Sequence, residues 1–417
     1  MWHEGRGTSF VELSRRMERT DIVRTRGFSF GIPALMDGML GVVQTAVPLL
    51  AIRFGATAWF LGILGWTPQT VRLPFTLGAG MLSEKVGRTR VILPAASLAV
   101  VACVGLSVAR NNTEILVLYI LLMASIGAFY PALQAFIGDH SPRGELRKNL
   151  SAFNVGWTVG ASLFALPAGY LLAANRVLPF AIGAALAFGT IQLVGAWSRT
   201  PVSGAGPVDQ SAGPPGGEGG PGPLLLIARI GHFLGFFGLS MARYMFPKLG
   251  TSLGIREGEI GVLVGMMLVG QAVGIFAASA GPWWRGKLWP QLFAMVMALC
   301  SGLIVFAAGS KALFAAAFLI QGVSLGIAYT GALYYGLQAR TNMGWNTGIH
   351  ECLVAAGNIL GALVGGAAAQ FISLRAPYLA LAGLSALAVL VTLVYWHATG
   401  RGRQPLTAAI IDSVNRR

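Results

Sequence analysis

The chain has 417 residues, of which 55% are hydrophobic and only 11% charged. Soluble domains carry about 25% charged residues, so this composition excludes a soluble globular enzyme and implies a polytopic membrane protein. The net charge of +15 does not indicate nucleic acid, because the bases are spread over short loops and tails instead of one face.

Residues 1–27 mix Arg6, Arg15, Arg16, Arg19, Arg24 and Arg26 with Glu4, Glu12, Glu18 and Asp21. No apolar core or small-residue cleavage site follows within that stretch, so it reads as a cytoplasmic arm with a short surface helix, not a cleaved signal peptide. Twelve apolar runs come next, over 28–53, 57–82, 89–110, 114–138, 149–174, 177–198, 224–249, 256–281, 288–309, 311–338, 344–373 and 376–398. Each is long enough to cross a hydrocarbon core of about 30 Å. The stretch 199–223 is dominated by Gly, Pro and Ser and predicts a flexible cytoplasmic linker. It divides the chain into six-helix units at 28–198 and 224–398, with a cytoplasmic tail at 399–417. With both termini inside, Lys and Arg on the cytoplasmic side outnumber those opposite by about three to one, which fixes that orientation.

The two units resemble each other. GAFYPALQ from Gly127 is echoed 199 positions later by GIAYTGAL from Gly326, and VGASL around Gly160 by LGALV around Gly361, 201 positions later. A repeat of this length fits two six-helix bundles around a central cavity. Glycines recur at four-residue spacing, as at Gly156 and Gly160 or Gly357 and Gly361, a pattern for close helix packing in lipid. Pro33, Pro48, Pro68, Pro74, Pro94, Pro131 and Pro167 interrupt the spans and predict bends.

Charges within a bilayer are functional candidates by default. Asp37 is about ten residues into the first span, roughly 15 Å deep at 1.5 Å per residue, and Arg72 on the second span has a comparable depth. They can form either a proton-coupling element, in which protonating Asp37 releases Arg72, or a static pair pinning two helices. His350 and Glu351 open the eleventh span and are further coupling candidates, with helix packing as the alternative. His232, at similar depth on the seventh span, serves either packing or contact with substrate or proton. Arg243 either faces the cavity and meets an anionic group or snorkels to the interface, whereas Arg229 snorkels inward. Cys103, Cys300 and Cys352 lie inside apolar runs and offer neither a disulfide framework nor a metal spacing. There is no phosphate-binding glycine loop, zinc motif or serine elbow, so no enzyme activity, metal or cofactor is expected.

The loop Gly80-Met-Leu-Ser-Glu-Lys-Val-Gly-Arg-Thr-Arg90 is a tight turn between two membrane-length runs. Gly87 suits a positive φ there, and Gly80 lets a neighbouring helix approach. This stretch resembles the signature loop between the second and third helices of the major facilitator superfamily, roughly G-x-L-a-D-r-x-G-r-k. Gly80, Leu82, Lys85, Gly87 and Arg88 match it, with Glu84 where that family usually has Asp. GAFYPALQAFIGD, Gly127 to Asp139, is similar to the end of that family's fourth helix, and NVGWTVGASLFALPAGYL, Asn154 to Leu171, to its fifth. The resemblance implies an all-α fold of twelve transmembrane helices in two pseudo-symmetric six-helix bundles. It also implies a conformational latch of Gly80, Glu84, Gly87, Arg88 and Asp139, with Asp139 contacting Arg88. It further implies a cavity lined by Gln44, Tyr130, Gln134, Gln321, Tyr329 and Tyr335. The corresponding second-half loop, Gly281-Pro-Trp-Trp-Arg-Gly-Lys287, departs from the pattern because it lacks an acid.

The expected function is secondary active transport of a small solute by alternating access in the cell inner membrane. The expectation is proton-coupled efflux of amphipathic or drug-like compounds by a monomer, with protons and lipid as its other partners. Uptake of a sugar, carboxylate or other metabolite, and a non-transporting scaffold or sensor with the same fold, are the alternatives.

Overall fold

The computed structural model describes residues 8–142, 144–199, 222–338 and 343–400. Its elements are α-helices throughout: α1 (Thr8–Arg53), α2 (Ala58–Val86), α3 (Thr89–Val108), α4 (Asn112–Asp139), α5 (Leu146–Ala165), α6 (Ala168–Ala174) and α7 (Leu178–Ser198) in the first half. The second half holds α8 (Pro223–Tyr244), α9 (Phe246–Ser252), α10 (Glu257–Ser279), α11 (Trp289–Ala307), α12 (Lys311–Gln338), α13 (Met343–Phe371) and α14 (Ala376–Gly400). Two spans are broken where proline removes a backbone donor: Pro167 separates α5 from α6, and Pro247 follows the break between α8 and α9. Eleven helical stretches are long and apolar enough to cross a membrane. The remaining span, α2, is 29 residues long but carries Gln69, Arg72, Glu84 and Lys85.

The N-terminal arm differs from expectation. From Thr8 onward it is one helix with the first span, 46 residues in all. Arg24 pairs with Asp21 a turn earlier at 2.9 Å, and Arg26 reaches Glu145 ahead of α5 at 2.5 Å. Those charge pairs carry the helix through Gly27 instead of letting it end at the water line. The Lys148 ammonium, and after it the Arg26 guanidinium, hold the Glu145 carboxyl below the ordinary glutamate value against the opposing effect of burial. Residues 1–7 of the arm, 200–221 of the expected linker and 401–417 of the tail lie outside the described residues.

The internal repeat is reproduced in the packing. In the first half α1 packs on α5, α2 on α4, α3 on α4, and α7 on both α1 and α3. In the second half α8 packs on α13, α10 on α12, α11 on α12, and α14 on both α8 and α11. Small residues make the same contact twice. A side chain at Gly156 or Gly160 would strike the Phe30 or Ala34 carbonyl of α1, and one at Gly357 or Gly361 the Phe233 or Phe237 carbonyl of α8. In lipid, helices gain by approaching this closely, because tails outside are as apolar as leucine. The outward faces fit that solvent: Val101, Val104 and Val108 of α3 and Leu387, Leu390 and Val394 of α14 are all more than half exposed. The chain is an integral membrane protein built as two related six-span bundles.

The bundles meet through α2 against α13 and through α5 and α6 against α10. These contacts concentrate away from the Gly80–Arg90 loop. A Cβ on Gly62 would sit 3.0 Å from the Gly366 Cα, and one on Gly261 would sit 2.9 Å from the Gly169 Cα. Nearer the loop α2 and α13 part, leaving a cleft lined by Gln69, Arg72, Leu73, Thr76, Glu351, Val354 and Ala355. The molecule is sealed at one end and splayed towards the other.

Candidate functional site

Half-way between the ends, polar and aromatic side chains from both bundles converge. Asp37 of α1 accepts a hydrogen bond from the Tyr130 hydroxyl of α4. Arg72 of α2 acts on Asp37 electrostatically. Among the described residues no Asp37–Arg72 ion pair forms within 4.0 Å, so the expected direct pairing is replaced by the Tyr130 contact. Arg72 is placed by backbone geometry: its carbonyl lies 2.6 Å from where a Gly127 Cβ would stand. The same contact recurs between Gly326 and the Gln271 carbonyl, so Gln271 occupies in the second half the place Arg72 holds in the first. Arg72 and Glu351 line opposite walls of the α2–α13 cleft.

The second-half counterpart of Tyr130 is Tyr329, and its surroundings differ. Tyr329 lies against His232 and His350, with ring centroids 5.6 and 5.1 Å away. The two imidazoles stack at 4.2 Å with planes 20° apart. His232 is fully buried and His350 is 5% exposed, and none of their four ring nitrogens has a hydrogen-bond partner among the described residues. Burying such groups costs about 1–3 kcal/mol each when unpaired. Trp157 of α5 closes the cluster across the bundles, 5.8 Å from the Tyr329 ring. Spacing alone brought out His232, His350 and Tyr329 singly; their assembly, and the part of Trp157, depends on contacts between distant spans.

Other expected positions scatter. Gln321 is buried against Gly238 with both amide atoms unpartnered among the described residues. Gln44 is buried, its amide 3.7 Å from the Met123 sulfur. Gln134 is exposed near the splayed end. Tyr335 does not join the cavity: its hydroxyl accepts from the Gly286 amide at 3.0 Å and its ring packs on Trp284 at 5.8 Å. Lying on the face of α12 turned towards the 281–288 loop, it serves that loop. Arg229 donates to the Asn346 amide oxygen at 2.7 Å. Arg243 is 8% exposed, which excludes snorkelling to the interface.

The sealed end has its own polar contacts, most of them absent from the sequence reading. Tyr119 of α4 and Tyr244 of α8 share a hydrogen bond at 2.8 Å across the bundles, both fully buried. A tyrosine inside the run Ile115-Leu-Val-Leu-Tyr-Ile-Leu-Leu was the available signal. Arg53 holds Glu257 through two hydrogen bonds, its Nε donating at 2.7 Å. Lys248 donates to the Ala56 carbonyl at 2.7 Å, and the Trp59 amide to Gln370 at 3.3 Å.

At the splayed end, Gly87 caps α2 with φ +100°. Arg88 donates from Nε to Asp139 at 3.1 Å and from Nη1 to the Ser83 hydroxyl at 2.8 Å, while Glu84 stands at 4.0 Å. A Cβ on Gly80 would meet Pro131 of α4 only at 3.9 Å. The second-half loop is held by aromatic groups instead. Trp284 is buried on Tyr334 and Tyr335, its indole donates to the Ala278 carbonyl at 2.7 Å, and Arg285 lies 4.8 Å over the Tyr334 ring.

A family model described as Major Facilitator Superfamily matches residues 30–229. An Escherichia coli (strain K12) protein described as the uncharacterized MFS-type transporter YdeE is 25% identical over 140 residues, covering 32% of this chain. The match spans about a third of that relative's length, 34%. Among solved structures, a bacterial homolog of the human lysosomal transporter Spinster, inward-facing and occupied, superimposes with a TM-score of 0.66 at 15% identity. That likeness covers 91% of this chain and 96% of the other. The nucleoside transporter NupG gives 0.67 at 11% identity, covering 89% and 100%. The human organic anion transporter MFSD10 gives 0.64 at 14%, covering 89% and 99%.

Proposed function

We propose that this chain, whose residues 30–229 match the Major Facilitator Superfamily model, is a transporter of that superfamily: a secondary active carrier, coupled to protons, that moves a small solute by alternating access. The observation that carries the proposal is the placement of its contacts. The hydrogen bonds and ion pair that join the bundles, Arg53–Glu257, Trp59–Gln370, Tyr119–Tyr244 and Lys248–Ala56, lie at the sealed end, while Arg72 and Glu351 line the cleft on the other side. Both termini face the cytoplasm of a cell inner membrane, so the splayed end opens inward. A single chain supplies both walls of the pathway. The Arg88–Asp139 contact serves as the first-half latch.

Coupling runs through Asp37. As a carboxylate it accepts from Tyr130 and attracts Arg72; on gaining a proton it loses that attraction and frees Arg72 to turn to other partners. His350, stacked on His232, and Glu351 across the cleft from Arg72 are the second-half groups that sense the same change. The aromatic cluster of Trp157, Tyr329 and the two imidazoles suits amphipathic, drug-like compounds and favours their export. Uptake of a carboxylate is the second reading, favoured by Arg243, which has no carboxylate within 4.0 Å among the described residues.

The test is uptake and efflux of a broad compound panel in inverted vesicles, with and without a proton gradient. Gradient-driven movement is expected for the native chain and is expected to vanish in Asp37→Asn. Full activity in that variant removes Asp37 as the proton site. Movement of nothing by folded protein points instead to a scaffold with this fold.

A further inference from the structure

We propose that the loop between α10 and α11 binds the phosphate of an anionic phospholipid, taken by Arg285 and Lys287, with the acyl chains lying against Trp289 and Phe293. The site is separate from the mid-membrane cluster and requires only that the chain spans a bilayer.

The first ground is a missing acid. Gly286 follows Gly87 by the same 199 positions that relate Gly326 to Gly127, and both loop glycines take positive φ, +70° and +100°. Lys287 thereby stands where Arg88 does, and Gln338 falls at the position of Asp139. Arg88 has Asp139 at 3.1 Å and Glu84 at 4.0 Å. Its counterpart has no such partner, because residues 260–350 contain neither Asp nor Glu. The acids that flank this stretch are engaged elsewhere: Glu259 takes Lys311 at 2.8 Å at the sealed end, and Glu351 lines the α2–α13 cleft. Among the described residues, Arg285 and Lys287 have no carboxylate within 4.0 Å.

The second ground is a scaffold that holds these bases outward. The Trp283 and Trp284 indoles donate to the Ala277 and Ala278 carbonyls at 2.9 and 2.7 Å, satisfying the last turn of α10. The Gly286 amide donates to the Tyr335 hydroxyl at 3.0 Å. Arg285 lies 4.8 Å over the Tyr334 ring, which occupies one face of the guanidinium and leaves its N–H edge free for an oxyanion. Both bases are exposed on a backbone that is already fixed, so a ligand has little of the loop left to order.

The third ground is the surface beside them. Trp283 and Trp289 stand 5.5 Å apart, 37% and 51% exposed, and Phe293, a turn further along α11, is 50% exposed. Tryptophan favours the headgroup level, so the bases sit at the water edge and the apolar strip runs from them along α11 into the hydrocarbon. A free phosphate has no use for that strip, whereas a phospholipid fills both parts.

The test places the purified full-length chain in nanodiscs holding equal parts of phosphatidylglycerol and phosphatidylcholine with matched chains. Native mass spectrometry reads which lipid stays on the protein. The native chain is expected to retain phosphatidylglycerol about tenfold or more over phosphatidylcholine, since each base near a membrane surface contributes about fivefold. Arg285→Gln combined with Lys287→Gln is expected to remove most of that preference. Lys85→Gln combined with Arg90→Gln makes the same charge change on exposed bases of the first-half loop and is expected to keep it. Exchanging the two bases, Arg285→Lys with Lys287→Arg, is also expected to keep it. Should the glutamine pair not elute as a monodisperse species, Arg285→Gln and Lys287→Gln are measured singly, each with an expected loss of about fivefold. Inorganic phosphate in large excess is expected not to displace the lipid. Equal retention of both lipids by the native chain, an equal loss in the first-half variant, or displacement by inorganic phosphate overturns the site. Transport is not measured, so none of these outcomes bears on the transporter reading.

Discussion

Breaking the Arg53–Glu257 pair tests how the sealed end is held. The guanidinium grips the carboxylate through both Nε and Nη2, and Nη2 also donates to the Leu172 carbonyl at 3.0 Å. The side chains are 34% and 28% exposed, so the interaction is partly screened and belongs at the upper end of surface pairs, about 1 kcal/mol. That energy exists only when the bundles are together at this end, so its loss acts directly on the balance between conformations. A change of about 1 kcal/mol shifts the ratio of two states about fivefold. Spin labels at Thr113 and Ala312, exposed residues at the sealed-end starts of α4 and α12, would report the separation by pulsed dipolar spectroscopy. Arg53→Gln and Glu257→Gln should each raise the long-distance population about fivefold, and the double variant should add little more, since both remove one interaction. Salt should act in the same direction, because the screening length falls to about 3 Å at 1 M. Unchanged distances in both single variants, or additive effects in the double, would falsify the assignment of this pair as a clasp.

Two further outcomes follow from local geometry. A side chain at Gly322 would collide with the Met267 carbonyl and with the Gly270 Cα at 2.8 Å, whereas one at Gly383 meets nothing within 4 Å. Gly322→Val should therefore lower the midpoint of detergent unfolding by the equivalent of about 1–3 kcal/mol, and Gly383→Val should leave it near native; equal effects would mean that close α10–α12 contact is not limiting. The Glu145 carboxyl is held below its ordinary value by Lys148 and Arg26. Its stabilisation should be complete above the ordinary glutamate value, about pH 4.3, and lost as pH falls through the lowered folded value. The stability difference between native chain and Glu145→Gln, followed by thermal melts from pH 7 down, should be constant to about pH 5 and shrink below it.

The spans were legible because the bilayer acts as a ruler: any helix crossing it needs an uninterrupted apolar run, and only α2, with its row of polar groups, strained that rule. The repeat was legible at Gly127 and Gly326 and at Gly160 and Gly361, since these glycines sit where two backbones nearly touch and no other residue fits. Asp37, Arg72, His232, His350 and Glu351 stood out because charge or imidazole in an apolar run is costly. Their partners did not. Asp37 with Tyr130, Tyr119 with Tyr244 and Arg53 with Glu257 are separated by 93, 125 and 204 positions, and no local pattern records such pairing. Tyr335 was placed in the cavity on the strength of its helix alone; the turn of α12 carries it to the loop instead. The arm was expected to stop at the interface, and the Arg26–Glu145 contact that extends it joins residues 119 positions apart.

Where the halves cease to match is where chemistry enters. A duplicated bundle placed around a twofold axis presents each polar group twice, once from either side, and an exactly doubled site could not distinguish a proton from a solute. Gly127 and Gly326 make the same backbone contact, yet the carbonyl each meets belongs to Arg72 in one half and to Gln271 in the other. Tyr130 and Tyr329 occupy equivalent turns, yet one serves a carboxylate and the other a pair of stacked imidazoles. The Arg88–Asp139 contact has an aromatic clasp in its place around Trp284. Salt weakens the first kind of clasp and leaves the second largely intact. The two bundles therefore start from the same helix packing and present different groups at matching positions, an acid and a guanidinium in the first half and imidazoles and an amide in the second, so a change of charge or salt acts on them unequally.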